Sequence, residues 1–402
     1  MKKTGAVLLL MLLLLFQPKN ALAATENEQA QQDEQQTSEE EFEAGLQQTI
    51  NGLNLYDLQK GLTEDETAQE LLQSGDFTQT LIALGKGEKA LDTGQIFAVL
   101  GRGLIRAVRE NIQWMVQMIL LCCVMSLLGA IGPRVLSGEM AEVCGFLSYA
   151  LAVSLAVRAL VQAFGIGSEA ILEMTQLMQA MFPVLITLLT AVGSLASAGV
   201  FQPAMGLLTG AMMTMVHKFT LPAVLVSGVL TVVQNLSDKI RISRMTELVM
   251  KTATWLTGLV FVIFLGVTAL QGLTGGTYDG VTMRTAKFAV GKFMPVVGNM
   301  VSGTMDTLVG CSMVVKNGVG VMGLVLIGCK MASPVMKIMA ITLTMKLTAA
   351  LMQPFEEKRL AGCLQDLSQV TTLLYIAVLS VGVMMFISVT LMIRAGTLNM
   401  GG

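Results

Sequence analysis

Apolar positions fall along this chain in long runs separated by short charged breaks. Residues 111–133 carry no charge, 143–165 carry only Arg158, and 174–216 form a 43-residue uncharged run that must fold back at "GSLASAG" or near Pro203. Next come 219–237, the charged break "SDKIRISRMTELVMK", 252–272, the polar stretch "GGTYDGVTMRTAKFAVGK" and 293–315. A long stretch from 317 to 355, punctuated by Lys330, Lys337 and Lys346, precedes a second charged break, "EEKRLAGCLQD", and a last run at 371–393. About 20 apolar residues at 1.5 Å rise span the roughly 30 Å hydrocarbon layer. The pattern therefore predicts an all-α, polytopic helical membrane protein with eight passes, ten at the upper limit.

The amino terminus is patterned differently. "MKKTGAVLLLMLLLLFQPKNALA" pairs Lys2 and Lys3 with an apolar run and an A-x-A site at Ala21 and Ala23, which reads as a secretory signal peptide over 1–23. Residues 24–48 carry eight acids, many Gln and no Lys or Arg, a composition expected of a disordered, solvated tether. Residues 49–110 read as a small exported region of short helices. A "TEDE" capping box formed by Thr63 and Glu66 precedes "TAQELLQ", and Asp76 caps "FTQTLIAL". In "TGQIFAVLGRGLIRAVRE", Ile96, Leu100, Leu104 and Val108 recur every four residues while Arg102, Arg106 and Arg109 take other faces, which suits an interfacial helix leading into the first span. A signal peptide places this region outside; the positive-inside bias of its arginines points the other way.

Within the membrane part, 111–170 reads as a first hairpin, and two halves follow, 171–272 and 281–395. Shifting the chain by 112 residues lays Pro183 on Pro295, Gly206 on Gly318, Lys218 on Lys330 and Pro222 on Pro334; after a seven-residue insertion Lys239 meets Lys358 and Thr252 meets Thr371. Two pairs use four of only eight prolines. We read an internal repeat with broken helices, a construction used by membrane conduits. Parallel halves would put the two charged breaks on one side, inverted halves on opposite sides.

The most unusual span is "FMPVVGNMVSGTMDTLVGCSMVVKNGVG", residues 293–320. Its glycines permit close backbone approach, as in the small-xxx-small pair Gly298 and Ser302, with Gly310 and Gly320 further along. Asp306 would be costly facing lipid, so it is expected to face a cavity, a cation such as Lys330, or a neighbouring subunit. It reads as a lining or coupling residue of a pathway, or more blandly as half of an intramembrane ion pair. Lys316 and Asn317 read as an interfacial helix end, and Arg158 as a snorkelling cation.

Composition sharpens the class. The chain is 53% hydrophobic and 13% charged with mean hydropathy +0.67, and its net charge of -2 argues against a nucleic-acid partner. The 30 methionines fit gap-filling in a helical core, and the six cysteines, without C-x-x-C spacing, read as structural thiols. The lone His217 has no acidic cluster beside it and takes a packing role. No Walker A sequence, H-E-x-x-H or G-x-S-x-G occurs, so neither an enzyme nor a self-powered transporter is expected, and no cofactor or metal.

The exported segment "LLQSGDFTQTLIALGKGEKALDTGQIFAVLGRGLIRAVRENIQWMV" and, above all, Pro295, Gly298, Asp306, Gly310, Lys316, Asn317 and Gly320 in "KFMPVVGNMVSGTMDTLVGCSMVVKNGVG" resemble the stage III sporulation protein AE family of endospore-forming Firmicutes, over nearly the whole chain. The resemblance implies a multi-pass protein of the mother-cell membrane around the forespore. It implies partners too: ring-forming membrane proteins and a separate ATPase of a sporulation channel, in which this chain is the conduit or permease-like element. A homo-oligomer is compatible with it. An autonomous secondary transporter, with Asp306 and the lysines coupling ion to solute, and a structural scaffold are the alternatives.

Overall fold

The computed structural model describes residues 42–72, 76–88, 93–135, 138–236, 242–293, 298–353 and 358–395, with backbone alone at 93, 128–135, 138, 141–142, 196, 200, 204, 236, 271–293, 298–306 and 358. The signal peptide and most of the tether lie outside these residues. Residues 1–44 form one unit, of which 42–44 are described, and Gly45–Gly402 form a second. The tether expectation runs too far: residues 42–51 are helical and Leu46 is fully buried.

Every regular element described is helical. Three short helices, α1 (Tyr56–Glu64), α2 (Glu66–Leu72) and α3 (Phe77–Lys86), precede the long α4 (Thr93–Val135), α5 (Gly138–Ala191), α6 (Leu195–Met215), α7 (Leu221–Leu236), α8 (Ser243–Phe293), α9 (Gly298–Met352) and α10 (Lys358–Arg394). A π-helical turn, Val216–Thr220, joins α6 to α7. Asp76 caps α3, accepting from Thr78 N at 3.4 Å. The cap of α2, however, is Asp65, whose Oδ1 accepts from Thr67 N at 2.9 Å and Ala68 N at 3.1 Å. Thr63 instead closes α1, bonding back to the Gln59 and Lys60 carbonyls. A carboxylate adjoining the new helix reaches its free amides more directly than a hydroxyl two residues earlier.

Among the described residues, six stretches are long and apolar enough to cross a membrane: Gly94–Leu127, Val143–Ala191, Ser197–Asn235, Ser243–Leu270, Thr307–Met352 and Arg359–Arg394. The charge breaks suggested eight. The difference arises because α5 runs unbroken from the first hairpin into the first half, through the polar patch at 165–174, and α9 absorbs Lys316 and Lys330 without a turn. At 1.5 Å per residue the 54 residues of α5 and the 55 of α9 each reach about 80 Å, more than twice the hydrocarbon thickness.

The fold-back in the 174–216 run comes at "GSLASAG". Gly193 takes φ +84°, Gly193 N bonds Thr190 O at 2.9 Å and Ser194 N bonds Leu189 O at 3.1 Å, a Schellman ending that a side chain at Gly193 would strain. Pro203 sits inside α6, and Pro183 and Pro334 lie inside α5 and α9 without ending them. Pro295 lies outside the described residues.

Contacts along the helices give their directions. Glu173 of α5 meets Lys330 of α9, Thr175 of α5 meets Met213 of α6, and Thr220 meets Thr257 of α8. Thr342 of α9 meets Thr371 of α10. Thus the α6–α7 rod and α9 run one way, and α5, α8 and α10 the other. The α6–α8 and α9–α10 hairpins point the same way, and both charged breaks lie at one end of the bundle. Gln234 Nε2 donates to Asp366 Oδ2 at 2.9 Å there, joining the end of α7 to the first turns of α10. The short helices gather toward the other end, on α9 and α5.

Candidate functional site

The 309–330 part of α9 is deeply enclosed. Val309, Cys311, Val315, Val319, Met322 and Leu326 are buried, because α10 and α5 flank α9 while the short helices clad it. The cladding is close. A Cβ on Gly85 would stand 2.2 Å from Val314 O, and one on Gly318 2.2 Å from Leu81 O, so α3 and α9 touch backbone to backbone through a glycine from each. Gly320 admits Ile393 and Gly323 admits Met181 in the same manner. Small residues permit this close approach; of the glycines singled out in the sequence Gly320 takes part in it, Gly310 is half-buried, and Gly298 opens α9 with its surroundings outside what is described.

Lys316 is fully buried, and its Nζ donates to Ala395 O at 2.5 Å, just past the end of α10. An interfacial helix end is therefore the wrong description: the residue is mid-helix, where its charge meets the partial negative charge of a helix C-terminus. Asn317 is half-buried, and its Oδ1 finds no hydrogen-bond partner among the described residues.

Lys330 Nζ pairs with Glu173 Oε2 at 2.7 Å, the side chains being 17% and 44% exposed. Asp306 lies on the same helix 24 residues earlier, about 36 Å away along the axis, so Lys330 is not its partner within one chain. The side chain of Asp306 lies outside what is described. Sequence reasoning missed Glu173, although the signal was there: an acid one turn after Glu169, opening onto the apolar run that starts at Met174.

At the opposite end a polar network ties the halves together. Asp366 accepts from Gln234 and, at 3.4 Å, from Asn235; Thr246 Oγ1 donates to Gln234 Oε1 at 3.0 Å; Tyr149 Oη donates to Asn235 O at 2.5 Å, with Arg359 stacked 5.3 Å from the Tyr149 ring. Where α9 meets α10, an open cavity of about 330 Å³ is lined by Lys346, Gln353 and Gln365 with small residues between them. Arg158 and Lys337 are exposed on α5 and α9, as is Pro183. His217 is half-buried in the π turn, its Nε2 without a partner among the described residues.

Among the described residues no group of three His, Cys, Asp or Glu could hold a metal. The six cysteines form no disulfide among the described residues, and Cys122, Cys311, Cys329 and Cys363 are buried. The arrangement can neutralise charge within an apolar bundle, pack helices at short range and fasten its ends.

A family model described as stage III sporulation protein AE matches residues 75–396. The stage III sporulation protein AE of Bacillus subtilis (strain 168) is 28% identical over 321 residues, 80% of each chain. The match takes in α3 to α10 and leaves α1, α2 and everything before them outside, a narrower extent than the sequence resemblance suggested. No solved structure matches.

Proposed function

This chain belongs to the stage III sporulation protein AE family, and from that premise we propose that it is the multi-pass membrane element of a sporulation channel or export assembly linking mother cell and forespore. It resides in the mother-cell membrane with the chain before α1 exported, and it works without chemistry of its own. Energy comes from a separate ATPase, and ring-forming membrane proteins complete the path.

The observation that supports assembly over solitary transport is the filled interior of the α5–α9–α10 core. Met181 occupies the space beside Gly323, Ile393 that beside Gly320, and Met331 that beside Gly382, while the buried Lys316 is engaged by Ala395 O. An alternating-access transporter needs a central site between its halves; here that position holds side chains, which favours a path shared with other subunits. The same packing gives a scaffold role as the second reading.

Mild-detergent purification of the tagged chain from sporulating cells, with mass spectrometry of what accompanies it, tests the proposal. Recovery with an ATPase and ring-forming membrane proteins is expected. Monodisperse recovery alone, with solute uptake by proteoliposomes of the pure chain, overturns it in favour of the transporter.

A further inference from the structure

At one depth the bundle carries different surfaces on its two sides, one mainly apolar but including the exposed Lys218 of the π turn, the other bearing ion pairs together with the exposed Phe97 and Ile105 of α4. The Lys330–Glu173 pair marks a plane, and beside it Gly382 of α10 faces Met331. Gly382 lies near the middle of the uncharged stretch 367–393, so this plane sits close to the centre of a span with mean hydropathy 2.5. From Met213, next to Thr175, the α6–α7 rod descends seven residues to Thr220; from its partner Thr257, α8 climbs five or six residues back to the plane at Val262 and Ile263. Those two are 65% and 53% exposed, with Leu207 and Leu270 beyond them and Trp255 below, a surface suited to lipid.

On the side built by α1–α4 the same plane is bracketed by ion pairs. Gly61 touches Leu326, about one turn above Lys330, and there Lys60 pairs with Glu64 at 3.7 Å, 53% and 59% exposed. Gly103 touches Met336, nearly two turns below, and there Arg102 pairs with Glu70 at 2.6 Å, 66% and 52% exposed. Arg106 and Arg109 are exposed further along α4. A solitary chain with Val262 in hydrocarbon would hold these charges in hydrocarbon too, a cost chains avoid by turning charge toward water or protein.

We propose that several copies of this chain surround an aqueous space whose wall is the charged outer face of α1–α3 and the first half of α4, with the α6–α8 side turned to lipid. The pathway then lies between chains, not within one. This rests on the conduit reading for what the space is for, but its geometry rests on the two-sided cross-section alone. A mixed-charge wall of Lys, Glu and Arg passes hydrated polar material without selecting strongly for one sign.

The test uses the full chain in membranes of sporulating cells. Glu64→Cys, Arg106→Cys and Val262→Cys, all at exposed positions, are labelled with a membrane-impermeant maleimide and compared with the wild-type background. Trp255 fluorescence in a Trp114→Phe background is followed in vesicles containing lipids brominated on the acyl chain. Two differently tagged copies are co-expressed and one is isolated. The proposal expects Glu64→Cys and Arg106→Cys to react at least about tenfold faster than Val262→Cys, Trp255 to be quenched by the brominated lipid, and the second tag to be recovered with the first. Unreactive Glu64→Cys and Arg106→Cys would mean a face covered by another protein or by lipid, and would overturn it. So would an unquenched Trp255 with a reactive Val262→Cys, which would put the plane outside the bilayer, or a failure of the tags to co-isolate. If the wetted wall is found but no ATPase or ring-forming partner accompanies the chain, the conduit reading falls and the wall stands; partners recovered with a dry face give the reverse.

Discussion

Lys316 donates from Nζ to the carbonyl of Ala395 at 2.5 Å, so a fully buried ammonium within α9 fastens the end of α10. A charged donor costs desolvation energy unless its partners are good, and the unsatisfied carbonyls at a helix end are the acceptors a cation suits best. The bond joins residues 79 apart in sequence and holds the closing helix against the segment that the short helices clad.

Replacing Lys316 by Met keeps most of the volume and removes the donor. Loss of a charged hydrogen bond predicts a destabilisation of about 2 kcal/mol. Amide exchange over residues 385–394 should quicken more than exchange at the start of α10, as read by hydrogen–deuterium mass spectrometry in detergent.

Glycine substitutions should divide by what a Cβ would meet. Gly318→Ala, 2.2 Å from Leu81 O, must push α3 away from α9 and should cost about 1–3 kcal/mol. Gly328→Ala, with nothing within 4 Å, should stabilise α9 by roughly 0.5–1 kcal/mol. Melting temperatures of the two purified variants check the contrast.

The Lys330–Glu173 pair predicts rescue by exchange. Lys330→Glu alone sets two acids together and should lower stability and yield, whereas Lys330→Glu with Glu173→Lys should restore both. A coupling of about 1 kcal/mol is expected from a double-mutant cycle, since Glu173 is 44% exposed.

Asp366→Leu should loosen the end of the bundle by leaving the Gln234 and Asn235 amides without their shared acceptor, at about 1–3 kcal/mol. Asp366→Asn, which keeps a carbonyl acceptor, should cost less. Protease sensitivity between α7 and α8 is the readout.

Topology gives the last prediction. Because Gln234 meets Asp366, reporters fused after residues 245 and 362 should report one side of the membrane. A reporter after 280, near the far end of α8, should report the other. Opposite results at 245 and 362 would rule out parallel hairpins.

Much of this architecture was legible in the sequence. Uncharged runs of bilayer length, a fold-back at "GSLASAG" as one of two candidate places and the cap at Asp76 follow from local chemistry, because helical rise, αL glycine and side-chain capping act over a few residues. The family could be read from the "KFMPVVGNMVSGTMDTLVGCSMVVKNGVG" stretch. Only the tertiary structure decided how the charges are used. Lys316 looks like a helix end until Ala395 arrives beside it; Lys330 takes Glu173, not Asp306, as its partner; and α5 runs through a polar patch that should have broken it, because α9 offers a cation there. The physical reason is range: a buried charge is paid for by a partner that packing brings near, and for these residues the partners lie 79 and 157 positions away along the chain.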